Sequence, residues 1–456
     1  MKFLLSDKIQ AANLKNGVNI KLKINFKKTD QYTKVPFAWA GSLIEIIAEL
    51  EDDDSTTAVS TNSGNSDIKL TSNSVRFALP LHTQRPHPDL IALISLKLFS
   101  PYIGSRLQLQ ENVSKEFAEV AIASYPNLKE INFHADTKPR NVNSQRAAVS
   151  FSGGADSVAA AAVLPPTTPL IQLARMDHPM LPGFEKWYKT IANIKTLEAM
   201  PNSFPKYTVF SDMEFLSTNG RWCVYPDTYA FTLPTMLLAD TLQLDHVITG
   251  DIWVAFTGDE TIFNSTLTYK RRHLFEAAGL SIEYPCNGVG EISSLKIADK
   301  LIGHPSVTTC QYGEFQKPCM KCIKCFRKSL IMDAIKGTQI VLDNLERFNN
   351  SPAVIQFSNS EGRKSAQFAP SYKWCSNKIS YLQDLQGPAQ KILERSRRLD
   401  LDASFCDAML DDVYVSERPK FIAYAKENLR KTVRIMNMAE RDEFSKLDWK
   451  NNNILP

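Results

Sequence analysis

The sequence lacks a strong excess of charge, a long apolar run and an abundance of cysteine. Its 456 residues carry a formal net charge of +4, which is too small to favour a nucleic-acid polymer but permits an anionic small molecule as partner. No stretch approaches the roughly 20 apolar residues that span a bilayer. The N-terminal apolar run of residues 3–5 is also too short for a signal peptide. We therefore expect a cytoplasmic protein that does not enter a membrane.

Cysteine is scarce, and half of it falls in one short segment. Four of the eight cysteines lie within sixteen residues, and the other four are scattered along the chain. In a reducing compartment a tight group of cysteines indicates a metal site, whereas isolated cysteines are usually small buried apolar residues. We call the group the cysteine cluster; its members are Cys310, Cys319, Cys322 and Cys325.

The pattern of apolar residues divides the chain into three units, residues 1–145, 146–336 and 337–456. In the first unit, residues 18–26 alternate like a half-buried strand and residues 37–50 have a helical spacing. The acidic residues 51–67, rich in Ser, Thr and Asn, predict a mobile loop. We expect an N-terminal α+β domain of unknown role and a mostly helical C-terminal region.

In the middle unit short apolar runs alternate with helical stretches. The predicted strands are residues 147–151, 170–176, 207–210 and 246–252, and the predicted helices are residues 156–163, 184–200 and 229–242. This alternation is typical of a parallel sheet whose two faces are covered by helices. The expected fold class is therefore α/β, with a doubly wound, Rossmann-like parallel sheet.

A glycine-rich loop joins the first of these strands to the first helix. It reads Ser152-Gly153-Gly154-Ala155-Asp156-Ser157. Adjacent glycines allow a close turn, and the following helix directs its N–H groups and its positive dipole end at an anion. The serines can donate hydrogen bonds to phosphate, and Asp156 can cap the helix or hold Mg²⁺. The loop is neither a Walker A motif nor a dinucleotide fingerprint, and a turn without a ligand is the alternative.

The loop resembles the S-G-G-x-D-S motif of the PP-loop ATP pyrophosphatases. These enzymes adenylate a carbonyl or carboxylate oxygen, release pyrophosphate and let a nitrogen or sulfur nucleophile displace AMP. The resemblance implies that residues 152–157 bind ATP and Mg²⁺, with Ser152, Asp156 and Ser157 as catalytic residues. It also implies that Asp177, after the second strand, meets the adenosine.

Gly250 and Asp251 lie where the last predicted strand of this unit ends. In a parallel sheet they share the ligand-binding side with the glycine-rich loop. A contact with substrate or metal is the functional interpretation, and a simple turn at the end of the strand is the alternative.

The spacing Cys310-x8-Cys319-x2-Cys322-x2-Cys325 offers four thiolates. Spacers of two residues let successive thiolates turn toward one Zn²⁺, and a closed site of four cysteines is structural. An iron–sulfur cluster and a disulfide are the alternatives. The basic residues nearby are expected to offset the negative charge of the thiolates; they are Lys317, Lys321, Lys324, Arg327 and Lys328.

Together the loop and the cysteine spacing resemble the 7-cyano-7-deazaguanine synthases, over roughly residues 146–328. The resemblance implies an ATP-dependent ligase that forms an amide or a nitrile from a small-molecule or protein carboxylate or carbonyl acceptor. It is compatible with a homodimer. Residues 177–183 and 225–228 differ from that family's pattern and indicate a divergent enzyme with its own substrate. The resemblance, together with the added terminal regions, makes an anti-phage or modification operon the expected setting.

Three other functions remain open. A PP-loop sulfurtransferase that modifies tRNA would use Cys223 or Cys286 as a sulfur carrier. An amidotransferase would act on the sugars of a surface polysaccharide. A nucleotide-binding module would bind ATP without releasing pyrophosphate.

Overall fold

The computed structural model describes residues 19–29, 41–50, 57–60, 66–144, 146–175, 190–218, 229–251, 267–286, 291–308, 310, 312–359, 371–372, 375–376 and 378–398. Asp177, the segments 177–183 and 225–228, and Cys223 lie outside the described residues. Within them, no helix has both the length and the apolar character that crossing a membrane requires.

Strands predominate at the start of the described chain, strands and helices alternate in its middle, and helices predominate beyond residue 290. The strands are β1 Asn19–Thr29, β2 Gly41–Leu50, β3 Thr57–Ser60, β4 Ser66–Leu70, β5 Ser74–Leu79, β6 Arg106–Leu109, β7 Glu130–Ile131, β8 Ala147–Phe151, β9 Leu170–Arg175, β10 Lys206–Ser211, β11 Ser217–Thr218, β12 His246–Ile248 and β13 Ser281–Glu283. The α-helices are α1 Pro88–Phe99, α2 Lys115–Ser124, α3 Ala155–Ala162, α4 Thr190–Ala199, α5 Leu233–Leu238, α6 Leu267–Ala277, α7 Glu291–Ile302, α8 Ile323–Lys336, α9 Ile340–Asp343, α10 Leu345–Asn349, α11 Pro352–Asn359 and α12 Gly387–Arg398.

Five strands form a parallel half of the main sheet, in the order β13-β12-β8-β9-β10. The chain runs outward from β8 to β9 and β10, and then crosses back to place β12 and β13 on the other side of β8. The carboxyl ends of neighbouring parallel strands point the same way, so the loops after β8 and β12 begin side by side. Open α/β sheets bind ligands at such a reversal of strand order.

Helices cover both faces of this parallel half. Val149 and Phe151 of β8 belong to an apolar core that includes residues of α3, α7 and α8. Ala148, the residue before Val149, belongs to a second core on the opposite face, with residues of α1, α5 and α6. The mostly apolar sequence of β8 follows from burial on both faces; its one polar residue, Ser150, forms a hydrogen bond with Thr235. The prediction of an α/β protein with a mostly parallel sheet is confirmed at this level.

The strands of residues 1–145 continue the same sheet. β5 pairs antiparallel with β10, aligning Ala78 with Phe210 and Phe77 with Ser211. Beyond β5 follow β2, β1, β6 and β7, which brings the sheet to ten strands. The boundary predicted at residue 145 therefore falls between strands of one continuous sheet.

Two local predictions in this part are wrong. Residues 41–50 form β2 rather than a helix, since Ile44, Ile46 and Ala48 are buried in the period-two alternation of a strand. The helical spacing came from Leu43 and Ile47, which lie on the less buried face. The predicted loop of residues 51–67 includes β3 and the start of β4, which pair with each other; Thr and Val in β3 suit a strand.

The described residues beyond 337 are mostly helical. Phe348, Val354 and Leu393 are buried in the same core as α3, α7 and α8. The end of α8 is anchored to this region by Asp333, whose carboxylate accepts hydrogen bonds from Ile340 N (2.8 Å) and Val341 N (2.8 Å) at the start of α9.

Candidate functional site

The glycine-rich loop is held in shape by its own serines. Gly153 has a φ of +76°, in the region that favours glycine. The buried Ser157 Oγ accepts from Ser152 N (3.3 Å) and Ser152 Oγ (3.1 Å), and donates to Gly154 O (3.0 Å). Ser157 therefore closes the loop from within, whereas Ser152 is exposed at its mouth.

Helix α3 begins at this loop without a side-chain cap. Its N-cap is Gly154, and no side chain bonds to the first turn. The first N–H groups of a helix have no acceptor within it, and they sit at the positive end of the dipole. A phosphate is the kind of ligand that satisfies such groups.

Two carboxylates lie next to the loop. Asp156 Oδ1 accepts a hydrogen bond from Ser294 Oγ (2.6 Å), on α7. Asp251 Oδ2, after β12, accepts one from Thr249 Oγ1 (2.8 Å). Burial raises the pKa of Asp251 to about 6, and the negative charge of Asp156 adds to the effect. Among the described side chains no cation forms an ion pair with either carboxylate, although Lys324 and Arg327 lie near enough to Asp156 for its charge to raise their pKa values against the effect of burial.

Gly250 brings these two carboxylates together. A Cβ atom on Gly250 would lie 2.6 Å from Ser157 N and 2.7 Å from Ser157 Cα, closer than atoms approach. The end of β12 can therefore press against the first turn of α3 only without a side chain. The structure gives Gly250 a packing role, and through it Asp251 reaches the vicinity of Asp156.

The four sulfurs of the cysteine cluster converge. All lie within 4.8 Å of one another, and Cys319 Sγ is 3.7 Å from Cys325 Sγ. A tetrahedral Zn²⁺ with Zn–S bonds of about 2.3 Å separates its sulfurs by about 3.8 Å. The cluster could thus hold a metal ion such as zinc.

The backbone wraps closely around the cluster. Cys310 Sγ accepts hydrogen bonds from Gly313 N (3.2 Å) and Cys319 N (3.2 Å). A Cβ on Gly313 would lie 2.3 Å from a backbone oxygen, so this turn admits no side chain. Gln316 and Met320 have φ values of +60° and +52°, which residues other than glycine rarely adopt. Such local strain persists where the surroundings enforce it, as a metal does.

Two of the basic residues near the cluster are directed away from it. Arg327 Nε and Lys328 Nζ lie 2.8 Å and 2.7 Å from Glu291 Oε1, and all three side chains are buried. Burial raises the pKa of Glu291, but the two cations outweigh it and lower that pKa to about 2. Their expected role of offsetting thiolate charge is thus secondary to neutralising Glu291. The sequence holds no local signal for this triad, because its members are 36 residues apart.

Residues 306–308, which we call the connector, join the glycine-rich loop to the cysteine cluster. Thr308 N donates to Gly153 O (3.0 Å), two residues before Cys310. Thr308 Oγ1 donates to Ala192 O (3.0 Å) of α4. The predicted loop, Asp251 and the cysteine cluster therefore gather in one region at the carboxyl ends of β8 and β12.

Comparison with known proteins gives one match. A family described as "Family of unknown function (DUF6395)" matches residues 270–448, which include the cysteine cluster but not the glycine-rich loop. No curated protein and no solved structure matches the chain.

Proposed function

We propose that the chain is an ATP-dependent ligase of the PP-loop ATP pyrophosphatase type. The observation that carries this proposal is the glycine-rich loop, which runs into an uncapped helix beside Asp156 and Asp251. It combines donors for phosphate with carboxylates for a divalent cation in one place.

The strand order supports the same proposal. The order β10-β9-β8-β12-β13 reverses at β8, and the loop follows β8. Doubly wound nucleotide-binding sheets place their phosphate loop after the first strand, at the reversal. We therefore assign the parallel half to the doubly wound, Rossmann-like PP-loop fold.

Each part of the site has a role in the proposed reaction. The N–H groups at the start of α3 and the exposed Ser152 would bind the phosphates. Asp156 and Asp251 would hold Mg²⁺ against them, each through the oxygen that its hydroxyl partner does not occupy. Ser157 would keep the loop in shape. Asp177, outside the described residues, remains the proposed contact to adenosine.

The chemistry is an adenylation followed by amidation. A carboxylate or carbonyl oxygen of the acceptor attacks the α-phosphorus, and the bond to the bridging oxygen breaks, so that pyrophosphate leaves with the electron pair. A nitrogen nucleophile then attacks the activated carbon, and AMP leaves. The protein contributes positioning and neutralisation of charge. This is the reaction class of the 7-cyano-7-deazaguanine synthases, here with an acceptor of the chain's own.

Zn²⁺ is the proposed occupant of the cysteine cluster. Sulfurs within 4.8 Å of one another surround a single ion, whereas a multi-iron cluster spreads its cysteine ligands further apart. All four positions would be filled by protein, so the ion would be structural.

The sulfurtransferase alternative gains no support from Cys286. Its side chain is fully buried, and burial raises the pKa of its thiol well above the ordinary range. A sulfur carrier needs an accessible thiol with a lowered pKa.

The test is incubation of the full chain with ATP, Mg²⁺ and a metabolite extract, with the products measured by mass spectrometry. We expect AMP and pyrophosphate, and a loss of at least about 100-fold in their rate for Asp156→Asn. The matched control Asp343→Asn changes an exposed carboxylate on α9 and should retain the rate. ADP and phosphate as the products would refute the mechanism, and ATP binding without cleavage would favour a nucleotide-binding module.

A further inference from the structure

The connector joins the cysteine cluster to the backbone of the glycine-rich loop. Its Thr308 N–H bonds to Gly153 O (3.0 Å), at the one loop residue with a positive φ. On the cluster side, Gln316 Nε2 donates to Ser306 Oγ (3.1 Å). Gln316 lies between the first and second cysteines, so the conformation of this turn is passed on to Ser306.

A buried hydroxyl fixes the connector against α4. Thr196 Oγ1 donates to Ser306 O (3.0 Å), and it also lies 3.0 Å from Ala192 O and close to Thr308 Oγ1. Thr196 also lies against the loop, because a Cβ on Gly153 would be 3.5 Å from Thr196 Cβ. The loop, the connector and α4 therefore form one packed unit.

A second route links the cluster to Asp156. Cys322 is the N-cap of α8, and its Sγ accepts from Cys325 N (3.4 Å). One turn further on, Arg327 pairs with Glu291 at the start of α7. On α7, Ser294 Oγ donates to Asp156 Oδ1 (2.6 Å) and lies 3.1 Å from Glu291 O. The position of α8 is thus transmitted to the carboxylate proposed to hold Mg²⁺.

We propose that Zn²⁺ in the cysteine cluster controls the affinity of the glycine-rich loop for ATP; this inference rests on the proposed nucleotide site. Without an ion, four sulfurs within 4.8 Å of one another lose the charge that holds them together. The turn around Gln316 and the cap of α8 then loosen, and the connector no longer holds the loop in its binding shape. The coupling is reciprocal, so ATP raises the affinity for Zn²⁺ by the same factor.

The experiment measures the Kd of ATP·Mg²⁺ by calorimetry on the zinc-loaded and zinc-depleted full chain, with folding followed by circular dichroism. We expect zinc to tighten ATP binding by about tenfold, within the usual range of such couplings. Titrations with zinc, with and without ATP, should give the same factor. Equal Kd values for loaded and depleted protein would overturn the coupling and leave the proposed function intact. Absence of ATP binding to the zinc-loaded protein would instead refute the proposed function.

If zinc depletion unfolds the chain, variants of the zinc-loaded protein test whether the connector controls ATP affinity. Thr196→Val removes the buried hydroxyl that fixes the connector and keeps the side-chain volume. The zinc-loaded variant should bind one zinc per chain and bind ATP several-fold more weakly. Thr232→Val is the control, since Thr232 Oγ1 is also buried and donates to a backbone oxygen (2.6 Å, Tyr229 O), away from the connector. Equal ATP affinity in the two variants would overturn the inference.

Discussion

The glycine-rich loop and the region beneath the cysteine cluster lie side by side, but the pKa values of their carboxylates are shifted in opposite directions. Glu291 is buried between Arg327 and Lys328, and its pKa is lowered to about 2. Asp251 has a hydroxyl partner but no cation among the described side chains, and burial raises its pKa to about 6. A carboxylate that is already neutralised stabilises the fold, whereas Asp251, which is desolvated and has no described cation partner, is the one that we propose receives a cation.

The largest effect is expected where the neutralised carboxylate is removed. Glu291→Gln leaves Arg327 and Lys328 buried without an anion, which should cost about 4 kcal/mol of unfolding free energy. Because the pKa of Glu291 is depressed, its contribution is complete above about pH 4.5 and is lost as pH falls toward about 2. The acid sensitivity from this site should disappear in the variant. Chemical denaturation between pH 3 and pH 7 measures both effects.

The matched control is Glu130→Gln. Glu130 pairs with Arg106 at 2.9 Å, but both side chains are exposed. An exposed ion pair contributes less than about 1 kcal/mol. A loss for Glu130→Gln as large as that for Glu291→Gln would contradict the distinction between the two regions.

The contribution of Asp251 to stability should change with pH in the opposite direction to that of Glu291. The folded chain holds the proton of Asp251 more tightly than the unfolded chain, so stability falls as pH rises from about 4 to about 6. Asp251→Asn should therefore be more stable than the parent at pH 8 by about 3 kcal/mol, and about equally stable at pH 4.

Urea denaturation at the two pH values measures the difference, and the same titration with Mg²⁺ sharpens it. Mg²⁺ should stabilise the parent at pH 8 and should stabilise Asp251→Asn less, because the variant keeps only the Asp156 carboxylate of the proposed pair. The exposed Asp343→Asn serves as control. A variant with the same pH profile as the parent would show that Asp251 titrates normally.

A smaller effect is expected from the glycine that brings the carboxylates together. Gly250→Ala forces a Cβ to within 2.6 Å of Ser157 N, which should cost about 2 kcal/mol and weaken ATP binding. Gly337→Ala is the control: it has a φ of +68° but open space around it, so only backbone strain of about 1 kcal/mol applies, without a change in ATP affinity. Thermal unfolding measures the stability of both variants, and calorimetry measures their ATP affinity. Equal ATP affinities would show that Gly250 does not contribute to the proposed nucleotide site.

The sequence predicts those features whose residues are close together along the chain. The glycine-rich loop is six consecutive residues, and the cysteine cluster spans sixteen. The strand β8 matches its prediction because a strand buried on both faces has a mostly apolar sequence.

The features that sequence patterns do not predict depend on packing between distant segments. The Glu291 triad requires α7 and α8 to lie against each other, and the connector requires Thr308 to meet Gly153. The joining of β5 to β10 depends on strand pairing across more than 120 residues, which no local pattern records. In β2, apolar residues on both faces concealed the period of two.

The antiparallel pairing of β10 with β5 also limits the exposed edge of the parallel half of the sheet. A parallel sheet that stopped at β10 would present a row of unsatisfied backbone N–H and C=O groups, which is a template for pairing with another chain. The alignment of Phe210 with Ala78 and of Ser211 with Phe77 covers the carboxyl end of that row. A chain shortened to begin at residue 146 would expose the backbone of β10 at this edge and would also lose α1 from the second core, so we expect it to self-associate.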